Sequence, residues 1–577
     1  MQMYRRSRGR NGLAAIAALA LAVSVSACAK GEDQTGPDSS IGFAECVTKP
    51  NTCNTGKTKA GGTITYALGK DIKAWNTLSS AGNTLEYSHA LFGVMPRVHH
   101  YYPDLSVQVN KDLIDSVEIT SKSPMTVVYK IKKEAVWNNG DPVSAADFEY
   151  TWKVQNGKDC PGCKAASTSG FSSVESLTGS ADGKIVTVVF KDKEAFPDWQ
   201  AMFVPLYPGK IAAQHGDLAA SFAWFEQNVP TYSAGPYKIE KYEPNFALTL
   251  VPNDKWWGAK PPLDKVIFRI ITKDSELIPA MRNREINAIA PIPTADLVTQ
   301  AKELADSHWY LGKNLSWEHI DLNLKNTFLA DKALRQAIFT AIDRQAIIAK
   351  TVGQYAPDTK PIGNHNFVPG MTAYKDVVSA TGQGAGNLDQ AKKILTDAGY
   401  KIEGGKLLTK TGEAVPPLRM RHTTGNQLRK DSCELVANTL KQLGIDIKVE
   451  QTDDLGGTLT KGDFDLIIFA WVLSPLRIGG AKQLWHSTSA SNYGKWVNTE
   501  SDKLLDEAAK TVGDDPKAHD LINQANTLMA ADAYVLPLFQ REVFIAVNKT
   551  YVYVRPNPTN HGPVYNVGAW GLLDQAA

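Results

Sequence analysis

Two pairs of residues carry side chains that could do chemistry. Asp463 and Asp465 stand two positions apart at the start of an apolar run, so a β-strand would place both carboxylates on one face. Such a pair could act as the acid and base of a secreted hydrolase, although aspartates at strand starts are more often solvated or capping. His99 and His100 could bind a metal, but neighbours on a strand point to opposite faces, and no Cys or carboxylate cluster accompanies them. The sequence therefore predicts no metal site.

The sequence contains none of the motifs that mark common enzyme classes. We find no HExxH, GxSxG or P-loop pattern, which predicts a protein that is not an enzyme and needs no cofactor. The 62 Lys and Arg residues nearly balance the 60 Asp and Glu residues, so charge does not indicate a nucleic-acid partner. The 13 Trp and 20 Tyr residues favour a surface that binds organic ligands, and an aromatic-rich core is equally compatible with them.

The amino terminus has the parts of a bacterial secretory signal. Arginines before residue 11 precede an apolar stretch over residues 12–23, and Val-Ser-Ala-Cys follows at residues 25–28. This ending resembles the lipobox of bacterial lipoproteins, in which Cys28 is lipidated and then becomes the first residue. We therefore expect a signal peptide over residues 1–27, a lipid anchor on Cys28 and a flexible polar tether over residues 28–60. The body would then lie on the outer face of the cell membrane; an ordinary cleaved signal with a coincidental Cys28 is the alternative.

Export permits disulfides, and five further cysteines are present. We favour local pairing of Cys46 with Cys53 and of Cys160 with Cys163, while crossed pairing stays open. A zinc site from these four thiols is disfavoured by their spacing. The Cys-Pro-Gly-Cys segment at 160–163 resembles a redox motif, but no strand precedes it, so a structural disulfide is the better interpretation. Cys433 falls inside an amphipathic helix, which predicts a buried free thiol.

A nearly unbroken apolar run over residues 464–471 predicts a strand buried on both faces. Trp471, Val472, Leu473 and Ser474 follow where this strand should leave its sheet, and Pro475 stiffens the exit. Ligands of open α/β sheets bind at the carboxyl ends of strands. We therefore predict that residues 471–475 form the floor of a binding cleft, although Trp471 as a simple core aromatic is an alternative.

Other patterns predict the elements around that strand. Residues 61–68 read as a strand, residues 83–95 as a helix, and residues 126–131 and 185–190 as strands of a mixed or antiparallel sheet. An Asn-Gly turn at residues 139–140 precedes a helix capped by Ser144, with Asp147 in the capping-box position. Asp331 caps a helix over residues 331–342. Strands at 418–422 and 445–450 flank a helix at 427–443, a β-α-β unit that with residues 464–471 predicts an open parallel sheet.

Several of these segments, in order, resemble the solute-binding proteins of bacterial ABC importers, specifically the oligopeptide, dipeptide and nickel family. The strongest match is Trp137 to Phe148, which is similar to the family signature hydrophobic-x-[DN]-G-x-P-[LV]-[TS]-A-x-D-[VF]. Further matches occur at residues 235–239, 284–287, 334–344, 391–400 and 535–538. The resemblance covers the chain from about residue 61 to its end.

The resemblance implies an α/β fold of two large lobes around a hinged cleft, the periplasmic-binding-protein clamshell, with a smaller inserted lobe. We expect lobe I from residues 61–110, 231–310 and 538–577, the inserted lobe from 111–230 and lobe III from 311–537. Hinge strands would cross between the large lobes near Trp309 to Asn323 and near Pro537 to Arg541.

The resemblance also implies the location of the binding site. Peptide-binding members have a Trp-x-x-Asp stretch whose aspartate pairs with the ligand's amino terminus, and here Ser474 takes the aspartate's place. A hydroxyl cannot neutralise an ammonium group in a closed site, so either another carboxylate substitutes or the ligand is blocked, internal or non-peptide. The substitute candidates are Glu86, Glu318 and Asp321. Ser233, Gly235 and Trp317 complete the residues that we assign to ligand binding.

The function implied is capture of oligopeptides or peptide-like solutes by a monomer that delivers them to ABC permease subunits in the membrane. A surface regulator or sensor that kept the fold without transport is the main alternative, and a secreted hydrolase is the weaker one. Neighbouring permease and ATPase genes would favour transport.

Overall fold

The computed structural model describes residues 41–574. The expected signal peptide, the lipid anchor at Cys28 and the first part of the expected tether lie outside the described residues. Across residues 41–574, no helix is both long and apolar enough to cross a membrane.

The described chain folds into short strands and helices that alternate along much of its length. The strands are β1 (Thr58–Lys59), β2 (Thr63–Leu68), β3 (His99–Tyr101), β4 (Val107–Val109), β5 (Ile114–Lys122), β6 (Met125–Ile131), β7 (Val174–Gly179), β8 (Ile185–Phe190), β9 (Tyr237–Glu243), β10 (Ala247–Pro252), β11 (Lys265–Ile270), β12 (Ala288–Ile289), β13 (Ser307–Leu322), β14 (Lys401–Glu403), β15 (Lys406–Leu408), β16 (Leu418–Thr423), β17 (Ile447–Thr452), β18 (Leu466–Val472), β19 (Val535–Asn548), β20 (Tyr551–Val552) and β21 (Gly571–Leu573). The α-helices are α1 (Leu85–Ala90), α2 (Ala145–Lys153), α3 (Gly209–Ala212), α4 (Leu218–Gln227), α5 (Leu277–Arg282), α6 (Ala295–Lys302), α7 (Lys332–Ala341), α8 (Arg344–Lys350), α9 (Leu388–Asp397), α10 (Gln427–Lys441), α11 (Leu455–Lys461), α12 (Ile478–Trp485), α13 (Thr499–Ala508) and α14 (Asp515–Ala531).

One ten-stranded sheet runs through the molecule in the order β17-β16-β18-β13-β19-β12-β2-β11-β10-β9. Its central strands β13 and β19 are antiparallel and are the longest of the sheet. At one end β13 pairs with β18, and at the other end β19 pairs with β12. The predicted crossing near residues 309–323 coincides with β13 up to its end at Leu322, and the one near residues 537–541 falls within β19.

Buried apolar side chains form separate cores on the two sides of these long strands. The cores on one side draw on residues 43–304 and 544–570, and the cores on the other side draw on residues 315–539. We call these two bodies the first lobe and the second lobe. The four-stranded antiparallel sheet β5-β6-β8-β7 lies within the expected inserted lobe, and its buried residues belong to the same cluster as the first-lobe core.

The family-signature turn folds as its residue types predict. The Asp147 carboxylate accepts hydrogen bonds from the Ser144 N–H at 2.9 Å, the Gly209 N–H at 2.8 Å and the Trp137 indole at 3.2 Å. Burial raises the pKa of Asp147 to about 6, and these donors oppose that rise. The predicted capping box at the start of α2 is confirmed, and it ties the helix to the turn before it.

Several predicted elements differ from the structure in their ends or order. The helix expected at residues 83–95 is only α1, because the chain leaves the helical path after Ala90 and runs through Gly93 and Pro96. Residues 41–60, assigned to the flexible tether, are folded: Phe43 and Cys53 are buried, and β1 pairs with β21. The predicted parallel unit is present as β16, β17 and β18, but β13 adds an antiparallel neighbour.

The disulfide predictions are confirmed. Cys46 pairs with Cys53, and Cys160 pairs with Cys163. Cys433 is the only unpaired cysteine of the described residues, and it is buried in α10 as predicted. The Cys46–Cys53 loop anchors residues 41–60 on the first lobe, where the Asn54 amide donates to the Val554 carbonyl at 2.9 Å.

Candidate functional site

The predicted cleft strand exists as β18, one strand from the centre of the sheet. Its apolar sequence is buried through Phe469 and becomes partly exposed at Ala470, where the strand leaves the packed interior. On one edge β18 pairs with β13 along its whole length, and Trp471 lies opposite Trp317. On the other edge it pairs with β16 only at Leu466 and Ile467.

The carboxyl-terminal half of β18 therefore has an open backbone edge. The Leu473 N–H donates to the Leu315 carbonyl at 3.1 Å, which sets the alternation of the antiparallel ladder. By that alternation the amide groups of Ala470 and Val472 point away from β13, toward the edge that no strand of the described chain covers. The Val472 side chain is 65% exposed, so the edge is accessible from solvent.

Trp471 stands in an aromatic cluster at the end of this edge. Its ring stacks on Tyr493 with centroids 6.0 Å apart and on His319 at 6.1 Å, and it meets Phe469 edge-on at 5.3 Å. The Trp471 indole N–H is buried without a hydrogen-bond partner among residues 41–574, and so is that of Trp317. Trp317 lies on β13, on the covered side of β18, so only the Trp471 donor stands at the open edge, where a polar ligand could complete its hydrogen bonding.

Residues after β18 contact the first lobe. Burial raises the pKa of Tyr101, which lies on β3, to about 12, and the Ser474 hydroxyl opposes that rise. Ser474 Oγ also accepts the Leu476 N–H at 3.1 Å. Leu105 of the first lobe packs against a second-lobe core, and Val512 of the second lobe packs against the first-lobe core. The two lobes are therefore closed on each other at this end of the cleft.

Two charged residues that the sequence analysis missed lie at the same closure. Asp198 of the first lobe and Arg477 of the second are both buried. Arg477 Nε donates to the Asn366 carbonyl at 3.2 Å, while its Nη2 has no partner within the described chain. Burial lowers the pKa of Arg477 to about 10, and the charge of Asp198 opposes that shift. No local motif marks either residue, because their roles arise only when the two lobes meet.

The carboxylates nominated as ammonium partners already have partners of their own. Glu318 is 1% exposed, and Arg429 donates to its two oxygens at 3.1 Å and 3.2 Å. Burial alone would raise its pKa, but the charges of Arg429 and Arg541 hold the pKa of Glu318 below its ordinary value. The Asp321 carboxylate contacts Nδ1 of buried His319 at 2.7 Å. Both groups support β13 from inside the second lobe.

The first-lobe candidates lie apart from this cluster. Glu86 is a partly exposed residue in the first turn of α1 and makes no ion pair with any described residue. The buried Ser233 Oγ lies 3.0 Å from the Val94 carbonyl oxygen and 2.5 Å from the Tyr237 carbonyl oxygen, and its one proton is shared between these acceptors, so it holds the chain corner. A Cβ atom at position 235 would lie 2.3 Å from the Gly93 carbonyl oxygen, so the close packing of the chain at this point requires a glycine.

The residues that could have suggested catalysis or metal binding are engaged elsewhere. Arg419 bonds Asp463 at 2.6 Å, and Asp465 accepts the Arg419 N–H at 2.8 Å. His99 packs against Trp199, and His100 lies near Phe92. Within residues 41–574, no group of three or more His, Cys, Asp or Glu side chains could hold a metal ion.

The two long strands lose regular pairing where they pass between the lobes. Their register shifts between Lys313 and Trp317 and again between Glu318 and His319. The Gln540 amide bonds the Asn314 carbonyl at 2.6 Å inside the first irregular stretch, and Lys313 bonds the Glu542 carboxylate at 2.6 Å beside it. This irregular pairing lies inside the stretch of residues 309–323 where a hinge crossing is predicted, and the hinge itself stays a prediction.

Two lobes joined by paired strands and closed over an open strand edge define the clamshell class of solute-binding proteins. The model of the bacterial extracellular solute-binding proteins, family 5, matches residues 108–493, and the chain belongs to this family.

Relatives and a solved structure agree with this assignment. The oligopeptide-binding protein OppA of Mycobacterium tuberculosis is 29% identical over 524 residues, which are 89% of this chain and 83% of OppA. Lipoprotein ML0489 of Mycobacterium leprae is 22% identical over 556 residues, which are 89% of this chain and 94% of the relative. The structure of the periplasmic EDTA-binding protein EppA superposes with a TM-score of 0.87 at 33% identity and covers 91% of this chain and 99% of EppA.

Proposed function

We propose that this protein captures oligopeptides or peptide-like solutes between its lobes and delivers them to the permease subunits of an ABC importer. The open backbone edge at Ala470 and Val472 carries this proposal. An extended peptide could add to β18 as a further strand, on the edge opposite β13, and so satisfy backbone groups that the protein leaves unpaired. The name of the relative OppA supports a peptide as solute.

Binding of this kind reads the peptide backbone more than its side chains. Trp471 adds an apolar wall and an unpaired indole N–H at the end of the edge. Broad side-chain acceptance follows, because main-chain hydrogen bonds do not distinguish residue types. Ser474 in place of an aspartate leaves a free amino terminus without a charge partner, so an amino-terminally blocked peptide should bind as well as a free one.

A carboxylate-bearing solute is the second candidate, and Arg477 favours it. This buried guanidinium follows Ser474 by three residues and has an Nη2 with no partner within residues 41–574, and EppA, whose name records EDTA binding, is 33% identical. A guanidinium pairs well with a carboxylate in a closed site. Addition of EDTA or its ferric chelate to the purified protein would reveal this class through a rise in unfolding temperature.

The experiment that tests peptide capture compares Trp471→Ala with wild type by calorimetry, using penta-alanine and N-acetyl-penta-alanine. Loss of such an aromatic anchor typically costs about 2 kcal/mol of binding free energy or more. Trp309→Ala, at an exposed tryptophan on the first-lobe half of β13, is the matched control and should bind both peptides normally. Normal binding by Trp471→Ala would refute the proposed site.

We propose that the protein works as a monomer on the outer face of the cell membrane, held by a lipid on Cys28. The lipobox-like residues 25–28 support this, and ML0489 is named a lipoprotein. Cys28→Ala should move the protein from the membrane fraction to the medium, whereas Cys433→Ala should stay in the membrane. A membrane-bound Cys28→Ala protein would contradict the anchor. Delivery to a permease is distinguished from a regulatory role by uptake of labelled penta-alanine in cells that lack the gene.

A further inference from the structure

A cavity of about 520 Å³ lies inside the first lobe, away from the open edge of β18. Its lining residues all come from residues 58–112, 234–262 and 553–569, and none belongs to the second lobe or to β13. Five aromatic side chains form much of the wall: Phe92, Tyr102, Trp256, Tyr553 and Tyr565. A volume of this size with aromatic walls suits a small organic ligand.

Arg97 lines this cavity as a buried cation that has no carboxylate partner among the described residues. Its side chain makes one hydrogen bond to described residues, from Nη2 to the Ser88 carbonyl at 3.3 Å, and its guanidinium lies 4.5 Å from the centre of the Phe92 ring. Arg97 is 3% exposed, and its Nε is buried with no partner. Across residues 41–574, no Asp or Glu forms an ion pair with it, so the charge lacks the counter-ion that burial normally requires.

The other titratable groups of the cavity do not supply that counter-ion. Burial, with the charge of Arg97 as a further cause, lowers the pKa of His100 to about 3, so this ring is neutral at physiological pH. Lys260 and Asp112 are exposed residues of the lining with opposite charges. The buried part of the cavity therefore carries a single positive charge.

We propose that this cavity is a binding site for a small monocarboxylate with an aromatic or other apolar body. The carboxylate would pair with the guanidinium of Arg97, and the apolar body would lie among the aromatic walls. A guanidinium forms paired hydrogen bonds to a carboxylate, which would satisfy nitrogen atoms that the protein leaves unpaired. This site is separate from the proposed peptide site, because no residue of β18 or of residues 473–477 lines the cavity.

The test uses 3-phenylpropionate and its neutral amide, 3-phenylpropionamide, as calorimetric probes of the full-length protein. Wild type should bind one acid molecule about tenfold more tightly than the amide, because the amide lacks the charge that Arg97 requires. Arg97→Gln should lose the preference for the acid, whereas Arg97→Lys should keep part of it. Arg284→Gln, at an exposed arginine, is the matched control and should behave as wild type.

Two further measurements separate this proposal from a structural role of Arg97 and from the peptide site. Ala569→Trp, at an exposed position of the lining, should block the acid without a change in unfolding temperature. Penta-alanine should bind Arg97→Gln as it binds wild type and should not displace the acid. Equal binding of acid and amide by wild type, undiminished acid binding by Arg97→Gln or Ala569→Trp, or displacement of the acid by penta-alanine would each overturn the proposal.

Discussion

The carboxylate of Asp198 accepts a hydrogen bond from the backbone N–H of Gly479 at 2.8 Å, across the boundary between the two lobes. The same carboxylate accepts the Ile478 N–H at 3.1 Å and the Gly480 N–H at 3.3 Å. These three donors are the unsatisfied amides in the first turn of α12, so a first-lobe residue caps a second-lobe helix. Opening of the cleft would separate the carboxylate from all three donors.

Asp198→Ala should favour the open form of the protein. The substitution leaves the buried Ile478 N–H and the part-buried N–H groups of Gly479 and Gly480 without this acceptor in the closed form, and an unsatisfied buried donor costs about 1–3 kcal/mol. We expect affinity for penta-alanine to fall by roughly tenfold or more, with a larger radius of gyration in small-angle scattering. Asp192→Ala, at an exposed aspartate in the same segment, is the control. Unchanged affinity and compactness in Asp198→Ala would show that the contact does not hold the lobes together.

Glu318→Gln should act on stability and not on recognition of a free amine. Removal of one partner from a buried ion pair typically costs about 3–5 kcal/mol, because Arg429 would be left charged and uncompensated. Asp397→Asn removes the exposed pair with Lys393 and should change the free energy of unfolding by less than about 1 kcal/mol. Urea unfolding measures the free energy of unfolding of both variants. Wild-type stability together with weaker binding of penta-alanine would instead make Glu318 a ligand residue.

His99 should make the protein sensitive to acid. Burial lowers its pKa to about 4 from an ordinary 6.5, so the folded form binds this proton more weakly than the unfolded form. The contribution of His99 to stability is thus complete above about pH 6.5 and is lost as the pH falls toward 4, up to roughly 3 kcal/mol.

His99→Phe removes this titration while it keeps a ring beside Trp199. The free energy of unfolding of this variant should fall less than that of wild type between pH 6.5 and 4. His215→Phe, at a partly exposed histidine, serves as the comparison. Identical pH dependence in His99→Phe and wild type would contradict the assignment.

Ser474→Asp should restore a preference for free amino termini. A carboxylate at this position, next to the Tyr101 hydroxyl in the closed cleft, could pair with a ligand ammonium group. We expect the affinity ratio of penta-alanine to N-acetyl-penta-alanine to rise about tenfold, since a charge-assisted bond gains roughly 1.5 kcal/mol. Ser474→Asn has nearly the same shape without the charge and should leave the ratio unchanged. A wild-type protein that already strongly prefers penta-alanine would contradict our interpretation of Ser474.

Local sequence patterns determined much of the framework. The apolar run at residues 464–471 predicted β18 because a short continuous apolar stretch closed by Pro475 is buried only as a central strand. The signature from Trp137 to Phe148 predicted the turn and capping box, whose partners are neighbours in sequence. Both disulfides followed from short separations in an exported chain. For the capping box and the disulfides the interacting groups lie within about a dozen residues, so their contact is built into the local chain. The partner of β18 is the distant strand β13, and only the existence of β18 could be predicted from its own residues.

Only the tertiary structure decided which polar groups meet across the molecule. Asp198 and Gly479 are separated by 281 residues, and Glu318 and Arg429 by 111, so no local pattern could pair them. The carboxylate of Glu318 was a candidate ligand partner in the sequence and proved to be occupied. Arg97 gave no signal in the sequence, because a buried charge without a counter-ion is recognisable only when every neighbour is known. Local periodicity determines which elements form, whereas the packing of distant elements determines which charges and donors remain unpaired.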